Sequence, residues 1–184
     1  MLPERETYRV EVEGVVRELP LFKVAPGLKI AVLNILGDTE LVQACAQALT
    51  RGLEHYDYDL FVTAEAKSIP LVQAMSMQSG KRYIVLRKNY KPYMGETLKA
   101  ETVSITTGKP QMLYMDEKDR AFVSTKKVIL VDDVISTGLT LQGMRSIVRQ
   151  ANGEVIAEAA VFTEGEEGDW EDIVAIGHLP LFRD

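Results

Sequence analysis

Short apolar runs bounded by turn residues alternate along this chain with stretches of 3.6-residue periodicity. Residues 7–24 read as extended, partly alternating segments: Tyr8, Val10 and Val12, then Val15 and Val16 after Gly14. Leu28 to Ile35 reads as a stronger strand, led in by the turn signal Pro26-Gly27. Asp38 is a good N-cap for a helix over about Thr39 to Leu53, whose apolar stripe is Leu41, Cys45, Ala48, Leu49 and Leu53. Glu40 falls in its first turn, where the helix dipole favours an acid. Tyr58 to Thr63 predicts the next strand. A loop over 64–68 leads into a helix that carries Pro70 near its first turn and runs to about Gln78. Tyr83 to Leu86 is a short buried strand, and Arg87 to Gly95 a basic, aromatic loop.

Leu98 to Thr106 alternates as a strand with one wet face. Thr107 to Thr125 has weak periodicity and reads as a mobile loop, with Gln111 to Met115 as a short returning strand; loops of that length are usually functional or disordered. Lys127 to Val131 is a run of β-formers buried on both faces. Thr140 to Ala151 is its helix, with Leu141, Met144, Ile147, Val148 and Ala151 on one face and Asn152-Gly153 as the stop. Val155 to Thr163 and Ile173 to Ile176 are the last strands.

This alternation predicts an α/β fold with a central, mainly parallel sheet flanked by helices and joined by right-handed crossovers. Ligands in such sheets bind at the carboxyl ends of the strands, so the loops after Thr63, Leu86 and Val131 are expected to converge on one site. The 184 residues suit a single domain over 1–184, with 1–27 and 164–184 as hood or tail segments. Leu-Pro-Leu-Phe occurs at both 19–22 and 179–182; the two copies are expected to pack near each other.

Composition narrows the setting. Hydrophobic residues make up 46% and charged residues 26%, ordinary for a soluble globular protein. One cysteine, Cys45, excludes an intramolecular disulfide and points to a reducing compartment. Its place in an apolar stripe makes it core rather than a catalytic thiol. No stretch is long and apolar enough to span a membrane, and the opening Met-Leu-Pro-Glu-Arg-Glu is charged where a signal peptide is apolar. A cytoplasmic protein without a membrane partner is expected. The net charge of −6 argues against nucleic-acid binding.

The charge is uneven. Residues 66–95 hold no acid and six bases, Lys67, Lys81, Arg82, Arg87, Lys88 and Lys91, while residues 164–172 hold six acids and no base. The acidic run reads as solvated surface. The basic run is either surface or a site for a polyanion.

The chemistry concentrates in Val128 to Thr140, Val-Ile-Leu-Val-Asp-Asp-Val-Ile-Ser-Thr-Gly-Leu-Thr. Two carboxylates end the apolar strand. Ser136, Thr137 and Thr140 supply hydroxyls, Gly138 permits a tight turn, and the next helix aims its free N–H groups at the loop. Anion-binding amides beside carboxylates suit a sugar phosphate.

That apolar–Asp-Asp-x-x-Ser-Thr-Gly-x-Thr pattern resembles the phosphoribosyl-diphosphate motif of type I phosphoribosyltransferases, nearest the adenine branch, its xanthine relatives and the effector domain of a purine repressor. Glu65-Ala66-Lys67-Ser68-Ile69-Pro70 resembles the family's pyrophosphate loop. Arg87-Lys88-Asn89-Tyr90-Lys91-Pro92 resembles the loop that approaches the same pyrophosphate. Residues 102–109 resemble the start of the flexible loop that closes the site.

The resemblance implies a type I phosphoribosyltransferase fold with a small hood, and transfer of the 5-phosphoribosyl group from phosphoribosyl diphosphate to a purine base. Asp132 and Asp133 would hold the ribose hydroxyls, directly or through Mg²⁺ held indirectly, and favour a cationic sugar. Val134, Ile135, Ser136, Thr137, Gly138, Leu139 and Thr140 would contact substrate, with 136–140 gripping the 5′-phosphate. Lys67, Arg87 and Lys88 would hold the pyrophosphate, with Mg²⁺ bridging its oxygens, and Ala66, Ser68, Lys91 and Thr106 would also contact substrate. The loop would exclude water. Family members are commonly homodimers, as two-fold symmetry favours.

One position departs from the pattern. Adenine-type members place a glutamate in the flexible loop where this chain has Thr106, which hydrogen-bonds but is no carboxylate acid or base. Two readings follow. One is a purine phosphoribosyltransferase, adenine first, xanthine or guanine second. The other is a non-catalytic phosphoribosyl-diphosphate-binding regulator. For the base, Val24 to Lys29 and the tail after Phe162 are candidate hood segments. Phe22, Phe162 and Trp170 are either stacking residues or core, and His55 and His178 are structural or surface residues.

Overall fold

The most apolar run becomes the middle of the main sheet. In the computed structural model, which describes residues 5–103 and 110–183, the elements are β1 (Thr7–Val12), β2 (Val15–Ala25), β3 (Leu28–Ala31), α1 (Thr39–Gly52), β4 (Leu60–Ala64), α2 (Ser68–Ser79), β5 (Arg82–Leu86), β6 (Leu98–Val103), β7 (Pro110–Met115), α3 (Glu117–Val123), β8 (Lys127–Ile135), α4 (Leu139–Gln150), β9 (Glu154–Glu164), β10 (Ile173–Leu179) and β11 (Phe182–Arg183). The main sheet has the order β10-β9-β8-β4-β5, and every pairing in it is parallel.

Alternate residues of its strands serve two cores. Phe61, Ile129, Val131, Ala157, Ala159 and Val161 pack with α1, α2 and the N-terminal strands. Leu60, Val62, Val128, Leu130 and Ala160 pack with α4, α3 and the β6–β7 hairpin. Burial on both faces is why β8 is apolar at successive positions.

A second sheet, β1-β2-β3-β11, draws mostly on the segments expected as hood or tail and is called the hood sheet below. The two Leu-Pro-Leu-Phe copies meet in it, as expected: the first lies on β2, and Phe182 of the second pairs with Lys29 across β3 from it. Tyr8 and Phe182 pack edge to face with ring centroids 5.4 Å apart. Arg17 of β2 donates to both oxygens of Asp38, at 2.7 and 2.8 Å, and to Glu40 at 2.8 Å. Asp38 is also the expected N-cap of α1, accepting from the Leu41 N–H at 3.1 Å. One carboxylate thus starts the helix and ties the hood to it. Cys45 is fully buried in this core, and burial pushes its thiol up to about 12, which makes it a packing residue.

Several boundaries differ from the sequence reading. The strand expected over Leu28–Ile35 stops at Ala31, because the chain leaves β2 after the Val32 N–H bonds to the Pro20 carbonyl and turns at Gly37, φ 82°. The loop expected over Thr107–Thr125 is largely ordered. β7 pairs with β6 from Leu98↔Met115 to Val103↔Pro110, and α3 follows. That helix escapes periodicity because Val123 is its one buried residue; Phe122 instead lies under the Arg82 guanidinium, 3.9 Å from the ring centroid. β8 does not end at its acids. It continues to Ile135, with Asp132 opposite Ala160 and Val134 opposite Phe162.

Candidate active site

β8 carries the acids to the carboxyl edge of the sheet, and α2 meets them there. Ser68, at the start of α2, donates from Oγ to Asp132 Oδ1 at 2.8 Å and lies 3.4 Å from Asp133 Oδ1. The Asp133 N–H also donates to Asp132 Oδ1, at 2.9 Å. Lys67 places its ammonium 2.6 Å from Asp133 Oδ2 and donates to the Leu33 carbonyl at 3.2 Å. Asp133 Oδ2 is enclosed and has no aligned hydrogen-bond donor, so its contact with Lys67 is ionic rather than a directed hydrogen bond. Burial, then the neighbouring Asp133 carboxylate, raise the Asp132 carboxyl well above the ordinary carboxylate range, against the lowering effect of its Ser68 and Asp133 N–H bonds.

The loop after β5 joins the same edge. Glu65 accepts from Arg87 Nε at 2.6 Å and from the Lys88 N–H at 2.6 Å, while its own N–H bonds to the Leu86 carbonyl. The Glu65 carboxylate holds Arg87 above its usual range. Ala66 stands between this pair and Lys67, behind a cis Glu65–Ala66 peptide. Arg87 also exchanges two backbone bonds with Tyr114, each 2.8 Å, which ties the basic loop to the β6–β7 hairpin. Lys88 and Lys91 are exposed, Lys91 just before a single 3₁₀ turn over Pro92–Met94.

On the other side of the acids, Asp132 and residues 134–141 line a small cavity. Ser136 and Thr137 are exposed in it. Gly138 has φ 70°, the left-handed conformation that glycine adopts without strain. No side chain caps α4, so its first-turn amides remain available to an anion. The convergence expected of the loops after β4, β5 and β8 is therefore present: Ala66, Lys67, Ser68, Arg87, Lys88, Asp132, Asp133 and 134–140 share one edge, whereas Lys91, among the described residues, makes no hydrogen bond or ion pair with them. Thr106 lies outside the described residues.

The aromatic candidates separate. Phe162 is buried core, 4% exposed. Phe22 is exposed on the hood, under the Arg5 guanidinium. Trp170 packs on the phosphate-type loop: a Cβ built on Gly138 would meet its ring at 3.3 Å. His178 is structural, bonded to Thr163 Oγ1 at 2.9 Å and the Gly165 carbonyl at 3.0 Å. Glu65 and Trp170 acquire their partners only in three dimensions; the partner of Glu65 lies 22 positions on, beyond any helical or hairpin spacing.

Residues 32–176 match the phosphoribosyl transferase domain family. The chain belongs to that family. An adenine phosphoribosyltransferase of Thermosipho africanus is 28% identical over 150 residues, covering 80% of this chain and 84% of that protein. A hypoxanthine/guanine phosphoribosyltransferase of Methanotorris igneus is 28% identical over 127 residues, covering 69% and 66%. The crystal structure of an adenine phosphoribosyltransferase from Thermoanaerobacter pseudethanolicus superposes with TM-score 0.67 at 18% identity, covering 94% of this chain and 95% of that one. The fold is thus that of the type I phosphoribosyltransferases, as expected.

Proposed function

We propose that this phosphoribosyltransferase moves the 5-phosphoribosyl group of phosphoribosyl diphosphate onto a purine base, with adenine as the first candidate. The observation that carries this reading is the contact of Lys67 and Ser68 with Asp132 and Asp133, which sets a cationic anion site and a hydroxylated loop on opposite sides of two carboxylates. A ribose with a phosphate at one end and a pyrophosphate at the other has that pattern.

In the reaction a base nitrogen bonds to the anomeric carbon, the bond from that carbon to pyrophosphate breaks with its electron pair leaving on the pyrophosphate oxygen, and the N–H proton of the base passes to the departing pyrophosphate or to water. Residues 136–140 hold the 5′-phosphate through amides and hydroxyls. Asp132 and Asp133 bond the ribose hydroxyls and stabilise positive charge on the sugar. Lys67 and Arg87 exchange Asp133 and Glu65 for the pyrophosphate oxygens, so the charge of the leaving group is met as it develops. Among the described residues no cluster of three metal-ligating side chains occurs. Asp132 and Asp133, adjacent carboxylates at the sheet edge, would be the side chains to meet Mg²⁺ arriving with the diphosphate; when bound, the ion would neutralise pyrophosphate charge. The acceptor base has a cleft of about 330 Å³ between hood and α1, lined among others by Leu19, Phe22, Leu33 and Asn34, with Leu33 joined to Lys67.

The proposal extends to a homodimer working in the cytoplasm; among the described residues no helix is long and apolar enough to cross a membrane. The test is product formation from phosphoribosyl diphosphate and Mg²⁺ with adenine, guanine, hypoxanthine and xanthine in turn. Adenosine monophosphate and pyrophosphate in equal amounts are expected. Tight phosphoribosyl-diphosphate binding with no product from any base would replace the enzyme by the regulator.

A further inference from the structure

We infer that Trp170 is a positioning residue for the loop at 136–140, holding it in its anion-binding shape from outside the cavity. The inference rests on reading that loop as the 5′-phosphate site.

Four observations converge on it. Gly138 is the turning point of the loop, with φ 70°, and the next residue begins α4. The indole ring lies against that glycine, Cη2 and Cζ3 standing 3.3 and 3.4 Å from where a Cβ would be. The ring takes no part in lining the cavity, whose walls are Asp132 and residues 134–141; it backs the loop and leaves the ligand space free. Finally, Nε1 donates to the Glu164 carbonyl at 2.9 Å, and the ring is half-buried against the α4 core. The indole is thereby fixed to the end of β9 and braces a loop at the end of β8, one strand away.

The need for a brace is physical. A loop that binds phosphate with backbone amides must hold them in one orientation before the ligand arrives, or ordering it subtracts from affinity. Ser136 and Thr137 are exposed and α4 has no side-chain cap, so the loop's own side chains supply little of that order. A flat, rigid ring supplies it at low entropic cost.

Trp170 is the chain's single tryptophan, so indole emission reports on the surroundings of this one ring. Wild type, Trp170→Phe and Trp170→Ala would be titrated with ribose 5-phosphate and, separately, with Mg²⁺-pyrophosphate, by calorimetry and, for wild type, by indole emission. Wild-type emission should shift saturably with ribose 5-phosphate. Trp170→Ala should weaken ribose 5-phosphate by roughly tenfold and leave pyrophosphate unchanged, and Trp170→Phe should recover most of the loss. In turnover, KM for phosphoribosyl diphosphate should rise more than kcat falls. Equal ribose 5-phosphate affinity in all three proteins, or equal weakening of both ligands in Trp170→Ala, would overturn the inference alone. Failure of the wild type itself to bind ribose 5-phosphate would overturn the reading of the loop as well.

Discussion

At Asp132, function and stability pull in opposite directions. Its carboxyl is half-buried in the cavity wall beside a second carboxylate, and desolvation and the like charge both favour the protonated form. A group whose folded pKa is raised stabilises the fold below its unfolded pKa, about 4 for Asp, and that contribution is lost as pH rises toward the raised value. Asp132→Asn should therefore be more thermally stable than wild type at neutral and mildly alkaline pH. The two melting curves should draw together below about pH 4, and turnover should be lost throughout. A Tm difference that is constant across pH would show that Asp132 ionises as an ordinary surface acid. Asp133 faces the Lys67 ammonium at 2.6 Å. Asp133→Asn is expected to fold normally and to lose most turnover, which circular dichroism and a rate assay check together; wild-type rates would mean that the acids do not touch the ribose.

Among elements, α1 and the hood depend on one carboxylate. Arg17, as the first cause, holds Asp38 below the ordinary carboxylate range, and the Leu41 N–H adds to it. The linkage sign is opposite to that of Asp132: this contribution is present above the unfolded pKa and is lost as pH falls through the folded one. Asp38→Ala removes both the cap and the hood tie and should cost on the order of 1 kcal/mol or more, the usual weight of a cap. Asp38→Asn keeps a capping oxygen and should cost less at neutral pH, with the gap between the two variants read from urea unfolding. Identical midpoints would remove the cap from the account.

What the sequence made legible follows from the range over which each signal acts. The cap Asp38, the α1 stripe and the two-faced run at 128–131 are local, and so is the strand–loop–helix succession over 127–150; all are present. The end of β8 is not legible, because two adjacent acids look like a strand terminus, whereas the ladder to β9 carries the strand on to Ile135. α3 buries only Val123 and so leaves no periodic trace. The pairs Glu65–Arg87 and Trp170–Gly138 join residues far apart in sequence, through contacts that no spacing rule encodes.

Over the whole molecule, we propose that two separate anion sites, one after β4 and β5 and one after β8, hold the two ends of one substrate across a pair of acids. Competition binding tests this most directly. Phosphoribosyl diphosphate would be bound in the presence of Mg²⁺ and displaced with ribose 5-phosphate or with pyrophosphate, in wild type, Lys67→Ala and Thr137→Ala. Both fragments should displace the whole ligand from wild type, Lys67→Ala should weaken chiefly pyrophosphate, and Thr137→Ala should weaken chiefly ribose 5-phosphate. Absence of phosphoribosyl-diphosphate binding, or fragments that bind without displacing it, would contradict the proposal.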